Sequence, residues 1–288
     1  MILITGASGN VGSEVLKQAA AAKLEIRAAY TSAGKAKDAP AGLETVLMDY
    51  TKPDTIRTAL QGVERAFLVG PPTPNLVELE SSFVNEAKKA GVKHLVKLSA
   101  LGGRKAIFPG LHRDSEEKVE ASGIPYTFLR PNGFMQNFFI YSGGTISTQN
   151  AFYGAQENGA VSHIDIRDIA AVAVQTLSGN GHEGKAYPLT GPEALTNAQA
   201  AEILSRELGR TIRYMDLPPE MFGKALLAIG VPEWSVNAVL DLQRLYREGE
   251  ASLVDPAVEQ ILGRKAISFD AFVRDYRLAF RQDTRAVS

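Results

Sequence analysis

The 288-residue chain contains no cysteine. Disulfides, thiol nucleophiles and thiolate metal sites are excluded with it. Four histidines stand far apart, and none falls in the His-x-x-x-His spacing that lets one helix hold a metal ion. Neither sign of charge dominates: 31 basic residues meet 32 acidic ones, so no bulk field favours nucleic acid or an anionic membrane as a partner. Apolar runs stay well short of the ~20 residues of a membrane span. Ile2 already reads as part of the first strand, which leaves no room for a signal peptide, and a cytoplasmic location is the expectation. The remainder, 45% hydrophobic and 22% charged, is ordinary for a globular protein long enough to hold one large domain or two.

What is present is concentrated at the start. The uncharged run Ile2-Leu3-Ile4 breaks at Thr5 into Gly6-Ala7-Ser8-Gly9-Asn10-Val11-Gly12, three glycines spaced three apart, and a helix-compatible stretch follows from Ser13 to Ala22. The pattern reads as buried strand, tight turn and helix N-terminus. Glycine lets the backbone turn sharply and lets a ligand approach without a Cβ in the way. The first amides of a helix are unpaired and carry the positive end of its dipole, which suits a diphosphate. Ser8 and Asn10 add side-chain donors. The glycine spacing alone is a weak signal, but its position after a strand and before a helix makes dinucleotide binding the expectation.

Strand two, Leu24–Tyr30, ends where an adenosine ribose would lie. A site for NAD usually places a carboxylate there, about 20 residues beyond the glycines. This chain offers Thr31, Ser32, Gly34 and Lys35, with no carboxylate before Asp38. Hydroxyls and a lysine suit a 2′-phosphate, so NADP, with NADPH preferred over NADH, is expected; a solvated loop is the plainer reading. Strand three, Thr45–Met48, ends at Asp49-Tyr50, placed to meet adenine or simply to open the helix at Pro53. Strand four, Ala66–Val69, ends in Gly70-Pro71-Pro72, which leaves room for a ribose or nicotinamide. A long helix from Asn75 to Ala90 stops at Gly91. Strand five, His94–Leu98, leads to Ser99-Ala100, and a helix near Leu111 to Ser122 leads to strand six, Tyr126–Arg130, before Pro131-Asn132.

Strand-helix alternation over 130 residues implies right-handed crossovers and a parallel sheet, with ligands beyond the carboxyl ends of its strands. The expected class is α/β: a Rossmann-type doubly wound parallel sheet over residues 1–132, with parts of 155–190 returning to it. A smaller, mostly helical lobe over 133–288 is expected to select the substrate. Within that lobe Ser162–Asp168 looks like a strand entering the helix Ile169–Leu177. Thr196 and Gln199 fit a capping box for a helix that ends at Gly209, and Thr211–Met215 fits a short strand. The aromatic run from Phe134 through Phe138, Phe139 and Tyr141, with Met135 beside it and Trp234 later, is a candidate pocket wall or plain core.

The segments Ile4–Gly12, Ile124–Met135 and Asp165–Ala170 together resemble the NmrA-like branch of the atypical short-chain dehydrogenase/reductases, with similarity nearly end to end. Within it the chain looks most like the NADPH-dependent quinone, azo-dye and triphenylmethane-dye reductases. The resemblance implies an NADP-binding Rossmann domain and a small C-terminal substrate lobe. It also exposes a departure. The wider superfamily passes a proton through Tyr-x-x-x-Lys on the helix after strand five, and the matching register here is His112-Arg113-Asp114-Ser115-Glu116. Lys118 falls two positions late.

Ser99 stands at the superfamily's serine/threonine position, and His112 has the side chain whose ordinary pKa suits proton transfer near neutrality. These two are the candidate catalytic residues, with Glu116 placed to orient His112 or to bond a ribose. A site without a strong acid still suits hydride transfer to an acceptor that stabilises the charge itself, such as a quinone or a conjugated dye. The rival expectation is a redox sensor that binds NADP(H) without turning it over and signals through a partner protein. A small molecule is the expected substrate, and a homodimer is a candidate assembly.

Overall fold

The computed structural model describes residues 1–37, 39–40 and 42–281; Asp38 lies outside the described residues. The chain divides into two compact units. The first comprises Met1–Pro131, Ile166–Leu189 and Ala257–Arg264, and the second Asn132–Asp165, Thr190–Pro256 and Lys265–Ser288.

The first unit alternates strand and helix: β1 (Ile2–Ile4), α1 (Asn10–Ala21), β2 (Ile26–Tyr30), α2 (Ala33–Ala36), β3 (Glu44–Leu47), α3 (Pro53–Ala59), β4 (Arg65–Leu68), α4 (Leu76–Lys89), β5 (His94–Leu98), α5 (Ile107–Ser122) and β6 (Tyr126–Pro131). The helix Ile166–Ser178 and the strand Lys185–Leu189 complete it. Seven strands form one sheet in the order β3-β2-β1-β4-β5-β6-(Lys185–Leu189), every pairing parallel. The order reverses between β1 and β4, the point at which a doubly wound sheet opens a crevice at its carboxyl edge. Parallel strands covered on both faces are mostly apolar along their length, and Leu3, Ile4, Phe67 and Val96 are fully buried accordingly. One face packs Leu3, Leu95 and Phe128 against Ile56, Phe83 and Val119 from α3, α4 and α5. On the other face α1 lies against the helix Ile166–Ser178.

The second unit is built mainly of helices with one small parallel ribbon, Ala151–Gly154 paired with Arg213–Asp216. Its core gathers Met135, Phe138, Phe152, Leu204, Phe269, Phe272 and Phe280. The capping box forms as expected: Thr196 and Gln199 satisfy each other's amides, and Gly209 ends the helix in the left-handed conformation.

One expectation fails, and two details of the sheet unit go beyond what the sequence pattern indicates. Ser162–Asp168 is not a strand. Only the single bridges Phe134–Ile164 and Val161–Leu195 form there, and the helix already starts at Ile166. The alternation of isoleucines reflects burial of Ile164 and Ile166 without a ladder. Conversely, Lys185–Leu189 joins the sheet although Pro188 interrupts it. That strand is the last in the sheet, where a missing N–H costs no ladder bond on the open side. The helix expected near Leu111 begins earlier, at Ile107, with Pro109 in its first turn where no intrahelical N–H is needed.

Candidate active site

The glycine loop has the shape its composition demands. Gly6 adopts φ +62°, a left-handed conformation that glycine reaches without strain. The Gly9 amide donates to the Gly6 carbonyl at 2.8 Å, which closes the turn. A Cβ on Gly12 would sit 2.1 Å from the Gly6 oxygen, so α1 approaches the loop as closely as backbone allows. The side chains of Ala7 and Val11 are buried, whereas Ser8, Gly9 and Asn10 are exposed. No side chain caps α1 at Gly9, so its first amides remain open to an anion.

At the end of β2, Thr31, Ser32 and Lys35 are all exposed. Ser32 accepts from the Lys35 amide at 3.4 Å and so starts α2. At the end of β3, Asp49 accepts from the amide and hydroxyl of Thr51 at 2.9 and 2.7 Å, and those bonds hold its carboxyl below the usual range. Tyr50 is placed differently from the adenine-stacking expectation. Its hydroxyl donates to the Val69 carbonyl at 2.8 Å, and its ring meets Phe83 in the core. Burial drives the Tyr50 pKa up, and the residue ties the end of β3 to the end of β4.

Beyond β4, Val69, Gly70 and Pro71 are partly exposed. Gly70 has a reason the sequence does not reveal. Its amide donates to Glu80 Oε1 at 3.0 Å, and a Cβ there would lie 2.7 Å from the same oxygen. Glu80, on α4, is fully buried, and so is Lys97 on β5; Lys97 Nζ meets Glu80 Oε2 at 2.6 Å. Ser115 Oγ donates to that same Glu80 oxygen. Lys97 Nζ also reaches the Leu98 carbonyl and His112 Nδ1, each at 3.2 Å. His112 is buried, with Phe108 edge-on at 4.7 Å. Burial first and the Lys97 charge second hold the His112 pKa well below its ordinary value, so the ring is neutral near pH 7.

The expected pairing of Glu116 with His112 does not occur. Glu116 accepts instead from Ser99 Oγ at 2.6 Å, from Arg130 Nε at 2.9 Å and Nη2 at 2.6 Å, and from Arg113 Nη1 at 2.8 Å. Burial opposes ionisation of Glu116, but the bonds from Arg130, Ser99 and Arg113 outweigh it and lower its pKa. The Ser99 proton is thereby committed to Glu116. Ala100 follows it, partly exposed, and the Pro131 carbonyl accepts from the Leu101 amide at 3.0 Å. Lys118, also on α5, is exposed, whereas His112 and Glu116 are buried.

The remaining expected residues belong to the second unit. The Asn132 side chain is fully occupied there: Nδ2 donates to Ser162 Oγ and the Ala251 carbonyl, both at 2.8 Å, and Oδ1 accepts from the Gly133 amide. Met135 and Phe138 are core residues, Phe138 stacking edge-on against Phe152 and His163. Phe134 and Trp234 are partly exposed.

Glu80 and Lys97 escaped the sequence reading, although one signal was available. Lys97 is a lysine near the end of a central parallel strand, where burial on both faces obliges a charge to find a partner. Among the described residues no group of three His, Asp or Glu side chains is arranged to hold a metal ion.

Residues 1–269 match the sequence profile of the NmrA-like family. The NAD(P)H azoreductase of Xenophilus azovorans is 37% identical over 284 residues, covering 97% of this chain and 99% of that protein. Among solved structures, the NADPH-dependent quinone oxidoreductase of Escherichia coli complexed with NADPH superposes with a TM-score of 0.88 at 27% identity, covering 96% and 100% of the two chains. The Citrobacter triphenylmethane reductase complexed with NADP(H) gives a TM-score of 0.85 at 25% identity, covering 96% and 99%.

Proposed function

The chain belongs to the NmrA-like family, and from that premise we propose that it is an NADPH-dependent reductase of conjugated electrophilic small molecules, of the quinone, azo or cationic-dye kind. The observation that carries the reading is the cradle from Gly6 to Gly12. A Cβ at Gly12 would collide with the Gly6 and Thr5 carbonyls, so only glycine lets α1 start directly against the loop, and the uncapped amides of α1 open onto the cradle. This cradle fits a diphosphate. Thr31, Ser32 and Lys35, exposed at the end of β2, fit a 2′-phosphate.

When bound, NADPH supplies the hydride. The chain's own residues bind, orient and protonate. Asp49 is set at the adenine end, and Val69, Gly70 and Pro71 leave the nicotinamide end uncrowded. His112 serves as the proton-handling group, because its neutral ring keeps a donor available. Ser99 is not given that task, since its proton already serves Glu116. Phe134, Met135, Phe138 and Trp234 are the proposed substrate contacts of the second unit.

The test is direct. Purified protein with NADPH and a panel of quinones, azo dyes and triarylmethane dyes should lose absorbance at the nicotinamide band. Tight NADPH binding without oxidation across the panel would replace the reductase with the sensor. His112→Gln should lower turnover of quinones on the order of 100-fold; full turnover in that variant removes His112 from the mechanism. A homodimer and a cytoplasmic location complete the proposal, the first checked by light scattering. No helix among the described residues is long and apolar enough to cross a membrane.

A further inference from the structure

We propose that Lys97, clamped by Glu80, is a positioning residue that fixes the tautomer of His112 and passes it a proton during substrate reduction. The Lys97 ammonium has three N–H donors and no acceptor. Its three neighbours, Glu80 Oε2 at 2.6 Å, the Leu98 carbonyl at 3.2 Å and His112 Nδ1 at 3.2 Å, use all three. His112 Nδ1 must therefore accept, and the ring proton must sit on Nε2. No described residue bonds Nε2. The donor that His112 can offer a ligand is thus set from behind, by a cation that solvent does not reach.

The clamp is itself held in place. The Gly70 amide binds one oxygen of Glu80 at 3.0 Å and Ser115 binds the other. A buried ion pair contributes little or negatively to stability compared with well-packed apolar residues. This pair occupies the level of Leu98 and Gly70, where β5 and β4 end and where a doubly wound sheet receives its ligand. The charged and titratable groups gathered around His112 are Lys97 from β5 and Glu80 from α4, with Tyr50 beyond Glu80.

The second half of the inference rests on the reductase reading. A quinone or azo acceptor that has received hydride carries negative charge on oxygen or nitrogen. That atom takes the proton from Nε2 while Nδ1 takes one from Lys97. The imidazole ends neutral with its proton on Nδ1, Lys97 becomes an amine, and Glu80 stays a carboxylate. After the product leaves, the Nδ1 proton returns to Lys97 as a solvent proton reaches Nε2, so one proton is consumed per substrate. A cationic triarylmethane dye needs no proton, because hydride alone neutralises it.

Two measurements test this. Nitrogen-15 spectra of the histidine-labelled protein, with the His112 signals assigned by their loss in His112→Gln, should show an Nε2–H tautomer from about pH 6 to 8, with and without NADPH. An Nδ1–H tautomer, or an imidazolium appearing near neutrality, overturns the positioning role. Lys97→Met should lower the ratio of quinone to triarylmethane-dye turnover on the order of 100-fold, with the NADPH KM retained. Equal losses on the two substrates overturn the proton route. If Lys97→Met does not fold, Lys97→Met/Glu80→Leu leaves no unpaired charge and carries the same comparison. Wild-type protein that reduces nothing would refute the reductase reading, while the spectra would still decide the tautomer.

Discussion

A methyl group on Gly12 would stand 2.1 Å from the carbonyl oxygen of Gly6 and 3.1 Å from that of Thr5. Both neighbours are backbone and cannot swing away. Thr5 is fixed in addition by its hydroxyl, which donates to the Phe67 carbonyl and accepts from the Val69 amide, each at 2.9 Å. Gly12→Ala must push α1 off the loop, at a cost of about 3 kcal/mol, and should weaken NADPH binding more than tenfold. Gly34→Ala is the control. The nearest atom to its new Cβ would be Ser32 Oγ at 3.9 Å, so stability should stay within about 0.5 kcal/mol of wild type. Urea melts and NADPH titration of both variants check the contrast.

The buried pair of Glu80 and Lys97 predicts a non-additive cycle. Lys97→Met alone strands a carboxylate, and Glu80→Leu alone strands an ammonium, inside a core that solvent does not reach. Each single change should cost about 3–5 kcal/mol. The double variant removes both charges and should be more stable than either single one. Additive losses would mean that the two side chains do not share their burial.

How much of this was legible in the sequence depends on the distance over which each feature is made. The loop from Gly6 to Gly12, the capping box of Thr196 and Gln199, and the stop at Gly91 are decided by residues within a turn or two, and the chain states them openly. The ends of β1 to β6 follow from a period of alternating elements. The interior of the site does not. Lys97 meets its partner 17 residues upstream across a crossover, and Glu116 draws its donors from the residue after β5, from α5 and from β6 together. No local pattern announces such meetings. The residue after β5 and the helix that follows suggested Ser99, His112 and Glu116 as one group. The structure divides them: His112 turns to Lys97, and Ser99 turns to Glu116.

Cofactor choice should respond to Lys35. Its side chain is exposed beside Thr31 and Ser32, and no described ion pair engages it. A lysine at a 2′-phosphate adds a charge-assisted bond that a 2′-hydroxyl cannot repay. Lys35→Ala should weaken NADPH binding about tenfold and leave NADH binding within about twofold, since removal of one exposed charge alters little else. Equal losses on both cofactors would move the phosphate site elsewhere.

Acid should destabilise the protein in a window set by its histidines. His163 packs edge-on against Phe138, and its Nδ1 donates to the Gly133 carbonyl at 3.2 Å. Burial holds its pKa down to about 4, although the bond to Gly133 works the other way. Burial is also the main reason that His94 and His112 are lowered. A histidine depressed in the folded state is neutral there while its unfolded counterpart takes a proton below about pH 6.5. The unfolded state then binds more protons, so stability is complete above about pH 6.5 and falls as the pH drops towards 4. The slope is about 1.4 kcal/mol per pH unit for each such histidine. Carboxylates held low, such as Glu116, enter only below their ordinary range, which separates the two effects. Urea midpoints measured between about pH 7 and 4.5 should therefore fall steadily, and His163→Gln should flatten the line by one histidine's share. A midpoint indifferent to pH over that range, or a slope that His163→Gln leaves unaltered, would show that the ring takes its proton without leaving the folded state.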